Sequence, residues 1–335
     1  MRLLSARRLA LLLLVSLAIP AAGCGFRPPA GGAAYTALAS LQPVDLAPGE
    51  RLRVVATTSL LADVVSQVAG EAAEVTSLIP VGVDPHSFEL TPQDLRRLSE
   101  AHVVFMNGFG LEGSLEEALR SAGGQALLIF TSQGIEALAL GEHTEADATE
   151  SGTEADQSGE QDPHVWLDPG NVIIWVQNIE AALVALDPAR AAEIARNASR
   201  YRAELERLDA EVRQALGAIP PSDRLLVTDH DEFGYFAEEY GFTIVGTVIP
   251  GFSSAAEPSA ADLAHLEDSI RCLGAQAIFV SAVVSPGLAQ RVADDTGIQL
   301  VSLYAHSLTG RDGPAPDYLS LMRYNVQAIV SALFP

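Results

Sequence analysis

The sequence predicts an α/β protein with two lobes, each with a mostly parallel sheet flanked by helices, joined by a long, rigid backbone helix. Short β-rich apolar runs alternate with helical stretches in two separate parts of the chain. A single apolar stripe with helical spacing lies between these two parts. The length of 335 residues, 48% of them hydrophobic, is enough for two domains that each bury a core.

Residues 1–23 have the three-part form of an export signal. Arginines precede an apolar run that is too short to cross a bilayer as a permanent helix. Cys24 follows two small residues and Gly, as in the lipobox of bacterial lipoproteins, where the thiol is acylated. Ala21 stands where Leu is usual, so cleavage to a soluble protein is the alternative. Residues 24–49 are rich in Pro, Gly and Ala and predict a flexible, lipidated tether. We therefore expect an exported protein, in the periplasm or on the outer face of the cytoplasmic membrane, anchored at Cys24.

The N-terminal α/β lobe is predicted over 50–187. Near its end, the segment 142–162 has eight acidic residues and no large apolar side chain, which predicts a mobile acidic loop. This loop either gathers cations or is a tolerated insertion. The pattern predicts strands over 51–57, 74–79, 102–106 and 126–130, and helices over 60–69, 91–99 and 113–121.

The linking helix is predicted over 188–217, and the C-terminal α/β lobe over 218–335. Apolar residues recur in the linking segment at steps of three and four, which predicts one helix of about 42 Å. The alternative is a packing helix inside one domain. In the C-terminal lobe the strands are LLVT, FTIVGTV, AIFV and IQLVSL, and the helices cover 233–240, 258–272, 287–296 and 318–333.

The net charge of −23 makes nucleic-acid binding an unlikely function, because such a surface is repelled by phosphate backbones. Every basic residue is Arg. Solubility alone explains most of the acidity. With Cys24 acylated, no intrachain disulfide can form, and Cys272 is interpreted as a small buried hydrophobe.

Four of the seven histidines are placed like ligands. His86, His230 and His306 each follow a predicted strand, and His164 lies between the acidic loop and a helix. In open parallel sheets, ligands bind outside the carboxyl ends of the strands. Neutral imidazole is a common metal ligand, so a divalent metal is the simplest reason to gather these rings.

The other three histidines lack this placement. His102 begins a strand, at the opposite edge of the sheet. His265 lies within a helix, on a face that we expect to be solvated. His143 lies in the acidic loop and could contact metal only transiently.

The chain from Arg53 to its C-terminus resembles the solute-binding proteins of zinc and manganese ABC importers. The stretches that carry the resemblance are VVATTSLLADVV, VGVDPHSFELTPQDL, VVFMNGFGLE, DPHVWLDP, VTDHDEFGYFAEEYGF, GFSSAAEPSAADL, SPGLAQRVADDTGI and YLSLMRYNV. They occur in the family's order. The resemblance implies two α/β lobes joined by a rigid helix, with one metal ion between them.

The resemblance also implies a ligand set. His86, His164 and His230 match the first three ligand positions of the family. The fourth is usually an acid in a motif like T-D-S-L, and here the matching stretch is Ala-His-Ser-Leu, with His306 in the acid's place. Either His306 coordinates or water completes the shell, and Asp312 is a weaker substitute.

Four carboxylates are candidates to orient the ligand rings by accepting their free N–H groups: Asp84, Asp229, Asp231 and Glu257. Histidine nitrogen donors in a tetrahedral arrangement favour Zn²⁺, whereas Mn²⁺ prefers more oxygen, and Cu²⁺ or Ni²⁺ would also bind imidazole tightly.

The predicted function is high-affinity capture of Zn²⁺ and its delivery to the permease and ATPase of an ABC importer, by a monomer that is not an enzyme. A receptor for Mn²⁺ or another divalent metal is the alternative. A zinc hydrolase, with Glu89 or Glu232 as general base, and a surface adhesin are two other classes. For a histidine site we expect zinc affinity to fall steeply between pH 7 and 5.

Overall fold

Two four-stranded parallel sheets organise the chain in the computed structural model, which describes residues 38–121, 126–139 and 161–334. The first sheet has the order β2-β1-β3-β4 and the second the order β6-β5-β7-β8. The predicted fold class is therefore confirmed. The strands are β1 Leu52–Ala56, β2 Ala73–Ser77, β3 Val103–Met106, β4 Leu127–Phe130, β5 Leu225–Thr228, β6 Thr243–Thr247, β7 Ala277–Ser281 and β8 Gln299–Leu303.

The helices follow the strands as the sequence predicts, and local capping sets several of their starts. Thr91 and Asp94 form a capping box at one helix, and Ser259 and Asp262 form another. The helices are α1 Ser59–Ala69, α2 Pro92–Glu100, α3 Gly113–Ser121, α4 Pro169–Leu186, α5 Ala191–Leu216, α6 Gly234–Tyr240, α7 Ala260–Leu273, α8 Gly287–Thr296 and α9 Tyr318–Leu333.

The long helix predicted between the two sheets is α5. It begins at Ala191 rather than at 188, because Pro188–Arg190 forms a separate 3-10 turn. Its buried face consists of the residues that carry the sequence stripe: Ile194, Ala198, Tyr201, Leu205, Leu208, Val212 and Leu216. This face packs against α4, α1 and α9, so α5 contacts helices that come from both parts of the chain.

The largest hydrophobic core lies between the two sheets and includes α1, α4, α5 and α9. Two smaller cores cover the outer faces of the sheets, one beneath α2 and α3 and one beneath α7 and α8. Among the described residues, α4 is the one helix long and apolar enough to cross a membrane, and its buried side chains pack into the main core. Residues 35–335 form one compact unit, so the lobe boundaries at 50–187, 188–217 and 218–335 remain a prediction.

Strand order positions the site. In the second sheet the chain leaves β5 toward β6 on one side and reaches β7 on the other, so the order reverses between β5 and β7. Ligands bind at such a reversal, outside the carboxyl ends of the strands. The residues that follow β5, β7 and β8 therefore meet at one edge.

Cys272 corrects one expectation. Its side chain is exposed rather than buried. The buried positions of α7 are Leu266 and Ile270, and Cys272 lies on the opposite side of the helix.

Candidate metal centre

The four histidines predicted as ligands lie together. The centroids of their rings are separated by 4.9 to 5.4 Å in all six pairings of His86, His164, His230 and His306. One ligand nitrogen from each ring lies within 4.8 Å of the other three. Four imidazoles around one Zn²⁺, with each centroid about 3.2 Å from the ion, would place the centroids about 5.2 Å apart. The rings therefore already have the spacing of a tetrahedral shell.

The tripeptide Asp-Pro-His occurs twice and presents two of the rings. Asp84 accepts the backbone N–H of His86 at 3.0 Å, within a 3-10 turn that follows β2. Asp162 accepts the backbone N–H of His164 at 2.8 Å, just before the 3-10 turn Val165–Leu167. In both cases the aspartate accepts the backbone N–H of the residue two positions on and so fixes the backbone of the histidine.

His164 receives further support from its ring and from the neighbouring peptide. Its Nδ1 lies 2.8 Å from the same Asp162 oxygen that accepts the backbone N–H. Asn107, after β3, donates its side-chain amide to the carbonyl of Pro163 at 2.9 Å. These contacts tie the second ligand to the carboxyl end of the first sheet.

His230 and His306 lie where the second sheet reverses its order. Asp229 uses one carboxylate oxygen to accept the backbone N–H of His230 at 2.8 Å and to contact its Nδ1 at 2.7 Å. The other carboxylate oxygen accepts the N–H of Ser281, at the end of β7. The hydroxyl of Ser281 in turn lies 3.0 Å from Nδ1 of His306. One short network therefore orients both rings.

These partners determine which nitrogen is available to a metal ion. Because the Asp162 and Asp229 oxygens already accept backbone N–H groups, the rings of His164 and His230 donate to them from Nδ1 and leave Nε2 without a proton. Nε2 of His86 lies 3.1 Å from Nε2 of His164, and Nε2 of His230 has no hydrogen-bond partner. Two nitrogens on one tetrahedral Zn²⁺ are about 3.3 Å apart, so this geometry suits a shared cation.

The environment keeps the rings of His86, His164 and His306 neutral. Burial, followed by the charge that His230 would carry, lowers the pKa of His86 to about 4. Burial and the neighbouring rings lower the pKa values of His164 and His306 well below the usual range for histidine. Neutral imidazoles are competent ligands at neutral pH, and a divalent cation is the charge that this centre can accept.

His86 is the half-buried member of the set, whereas the other three rings are buried. Around it the two parts of the chain touch. Asp84 accepts a hydrogen bond from the hydroxyl of Ser254 at 2.6 Å, and Ser307 accepts the N–H of Gly82 at 2.7 Å. His86 is therefore the ligand ring nearest to solvent, and these two hydrogen bonds join the two parts of the chain beside it.

The four predicted orienting carboxylates have different positions. Asp229 contacts a ligand ring, as described above. Asp84 caps the backbone of His86 and bonds Ser254, and Asp231 accepts the N–H of Gly251 at 2.9 Å. Glu257 is exposed, and no hydrogen bond joins it to a ligand ring within the described ranges.

Three groups near the rings were not predicted to orient or supplement the ligands. Asp162 was counted as the end of the mobile loop, but it is buried, and Gln161 pairs with Ala139. The repeated tripeptide Asp-Pro-His is the sequence signal that could have identified Asp162. Ser281 carried no signal in the sequence. Glu232 is fully buried beside His306, with 3.2 Å between its Oε2 and the ring Nε2. Burial raises the pKa of Glu232 well above its usual range, and the carboxylate of Asp229 raises it further.

The other predicted residues lie away from the centre. His102 accepts the backbone N–H of Arg53 through Nδ1 at 3.0 Å, and His265 is exposed on α7. Asp312 and Glu89 are exposed. Cys24, His143 and the acidic loop up to residue 160 lie outside the described residues.

A model of a known protein family matches residues 54–332 of the chain. The family is described as the zinc-uptake complex component A, periplasmic. The iron-binding protein YfeA of Yersinia pestis is 32% identical over 294 residues, which are 88% of this chain and 89% of that protein. The manganese-binding lipoprotein MntA of Halalkalibacterium halodurans is 31% identical over 286 residues, covering 85% and 89%.

Solved structures agree with this match. The periplasmic zinc-binding protein TroA of Treponema pallidum superposes with a TM-score of 0.76 at 28% identity, over 85% of this chain and 99% of that one. The Mn-bound periplasmic metal-binding protein of Candidatus Liberibacter asiaticus superposes with a TM-score of 0.74 at 27% identity, over 85% and 100%. The similar proteins are thus named for three different metals.

Proposed function

Because the chain belongs to the family of the periplasmic component A of zinc-uptake complexes, we propose that it captures Zn²⁺ outside the cytoplasmic membrane. In this proposal it delivers the ion to the permease and ATPase of an ABC importer. The family consists of extracytoplasmic substrate-binding proteins of metal importers, not of enzymes. The hydrolase alternative is thereby removed, and with it the role of Glu89 or Glu232 as a general base.

The near-regular tetrahedron of four buried or half-buried imidazoles is the observation that carries the choice of Zn²⁺. Four neutral nitrogen donors at this spacing match the coordination number, the geometry and the ligand type that Zn²⁺ prefers. The buried His306 occupies the position where the family usually has an acid, so the site has one more nitrogen donor and one fewer oxygen donor than usual. His86, His164, His230 and His306 are the proposed ligands, in preference to water or Asp312 as the fourth.

A receptor for Mn²⁺ or Fe²⁺ is the second candidate. Relatives of similar identity are named for manganese and for iron. A specific feature of this chain also favours it, since the carboxylate of Glu232 lies at the edge of the centre and could supply the oxygen that these ions prefer. The choice between the metals is therefore an experimental one.

We further propose that Cys24 is lipidated and that the tether 24–49 holds a monomer at the membrane. Relatives are named as lipoproteins of ABC transporters, which supports this arrangement. The acidic loop precedes His164 in the sequence and would raise the local concentration of cations.

The test is elemental analysis of protein purified without added metal, followed by competition among Zn²⁺, Mn²⁺, Fe²⁺, Cu²⁺ and Ni²⁺ at equal concentration. We expect one equivalent of zinc per chain, which excess manganese does not displace. Displacement of zinc by equimolar manganese would refute the choice of Zn²⁺ but leave the receptor function standing. Failure to bind any divalent metal would refute both.

A further inference from the structure

Glu232 is a buried acid without a hydrogen-bond partner at the edge of the four-histidine centre. Its side chain is fully buried, and neither of its oxygens has a hydrogen-bond partner. In the part of the chain that the structure describes, no arginine forms an ion pair with it. A buried acid without a hydrogen-bond partner either takes up a proton or faces a cation, so a cation at this centre would stabilise its charged form.

The backbone holds Glu232 in place. The N–H of Glu232 donates to the carbonyl of His230 at 2.9 Å, in a tight turn between β5 and α6. Phe233, the next residue, is buried in the main core against Phe236. The carboxylate is therefore kept beside the ligands by its own backbone and cannot swing out to solvent without disturbing the core.

The distances fit a donor atom. Oε2 of Glu232 lies 3.2 Å from Nε2 of His306, but the two atoms lack the geometry of a hydrogen bond. Two donors bound to one cation at about 2.1 Å are separated by about 3.0 to 3.4 Å. Donor atoms of Asp229, His230 and Glu232 also lie within 4.8 Å of one another. The distance from Oε2 of Glu232 to Nε2 of His306 is thus close to the 3.1 Å between the Nε2 atoms of His86 and His164.

The surrounding charges point the same way. The carboxylates of Asp229 and Asp162 each accept a hydrogen bond from a ligand ring. Together with Asp84, they place negative charge near Glu232. A further carboxylate in this environment is repelled by like charges unless a cation lies between them. The four imidazoles are neutral, so a carboxylate bound directly to the ion would be the one charged donor in its shell.

We propose that Glu232 is a fifth donor to the captured cation, and that this oxygen widens the range of ions from four-coordinate Zn²⁺ toward Mn²⁺ and Fe²⁺, which take more ligands. This inference rests on the proposed function, because it requires the four histidines to bind metal. It assigns to Glu232 a role in specificity: an oxygen donor favours the harder ions more than it favours Zn²⁺.

The test compares the wild type with Glu232→Gln, which keeps the size of the side chain, and Glu232→Ala, which removes the donor. Glu257→Gln is the matched control, since Glu257 is exposed and, among the described residues, no hydrogen bond joins it to a ligand ring. Dissociation constants for Zn²⁺ and Mn²⁺ are measured by competition with a chelator. We expect both Glu232 variants to weaken Mn²⁺ binding by at least about tenfold and Zn²⁺ binding by less than about threefold, with the control unchanged.

A second measurement needs no variant. X-ray absorption of the Mn²⁺-loaded wild type should show an oxygen donor besides the four imidazoles. The visible absorption of the Co²⁺-loaded wild type should also be weaker than that of the Co²⁺-loaded Glu232→Gln variant. The reason is that tetrahedral Co²⁺ absorbs more strongly than five-coordinate Co²⁺. An all-nitrogen, four-coordinate shell in the wild type, or equal loss of Zn²⁺ and Mn²⁺ affinity in the variants, would overturn the inference. Wild-type protein that binds no metal at all would instead refute the proposed function.

Discussion

Replacement of His306 by Ala tests the least conventional ligand of the centre. The ring is buried, its Nδ1 contacts Ser281, and its centroid lies 4.9 to 5.4 Å from those of the other three rings. Four-ligand protein sites bind Zn²⁺ with about 12 kcal/mol, so each ligand contributes about 3 kcal/mol. Loss of one ligand should therefore weaken Zn²⁺ binding about 100-fold.

The assay is competition with a chromophoric chelator at pH 7.5, with unfolding curves of the metal-free proteins to verify that the variant folds. Asp312→Ala is the matched control, because Asp312 is the other side chain near this position that the sequence offered as fourth ligand, and it is exposed. We expect its affinity to stay within about twofold of the wild type. A folded His306→Ala protein that binds Zn²⁺ as tightly as the wild type would refute a four-imidazole shell, and a large loss in Asp312→Ala would transfer the role to that residue.

Four further predictions concern ring orientation, proton competition, stability at low pH and the exposure of Cys272. Asp229→Asn should lower Zn²⁺ affinity by about 10- to 100-fold, since an amide supplies one oxygen acceptor where the carboxylate uses two. In the same chelator assay the control Glu257→Gln should leave Zn²⁺ affinity unchanged. Zn²⁺ affinity should fall most steeply toward pH 4, because protons compete for His86 only near its pKa of about 4 in the folded, metal-free protein. Calorimetric titrations that show a steep loss between pH 7 and 5 would contradict this. The lowered pKa of His86 also makes the metal-free protein less stable by about 3 kcal/mol as pH falls from about 6.5 to 4. The reason is that the unfolded chain takes up the proton at a higher pH than the folded protein does. Finally, Cys272 should react with Ellman's reagent in the native state at the rate of an exposed thiol, measured in a Cys24→Ser background, and protection until unfolding would show the opposite.

The pH prediction differs from the one made from the sequence. Ordinary imidazoles would begin to lose metal near pH 6. The structure buries the rings against one another, which disfavours the charged form and moves proton competition to lower pH. A steep loss near pH 6 would therefore indicate that the metal-free protein exposes its rings.

Most of the fold could be read from local patterns. The strands and helices with predicted ranges lie within a few residues of them, because β-rich runs, capping residues and the apolar stripe of α5 are local signals. For α4 the sequence predicted only a helix after His164, without bounds. Exposure was harder to predict. Cys272 lies in a stretch with several apolar residues, but its side of α7 is exposed. The sequence of a helix does not specify which neighbouring elements will cover it.

The candidate site divides in the same way. The strand-end rule selected His86, His230 and His306 and set His102 aside, because parallel topology determines which loops share an edge. His164 was selected by its place between the acidic loop and a helix, and His265 was set aside as a solvated helix position. The rule could not supply the contacts of Ser281, which lies 25 residues before His306 in the chain. It also could not distinguish Glu257, which is exposed, from Asp229, which orients a ligand ring.

The sequence by itself determined the two α/β sets, the long helix between them and four histidines placed like ligands, three of them at strand ends. Only the tertiary structure decided that all four rings lie about 5 Å apart and that a buried carboxylate, Glu232, stands beside them. The physical reason is that secondary structure depends on neighbours within a few residues. The distance between two rings from different sheets depends instead on how the common core packs, and that involves residues from the whole chain.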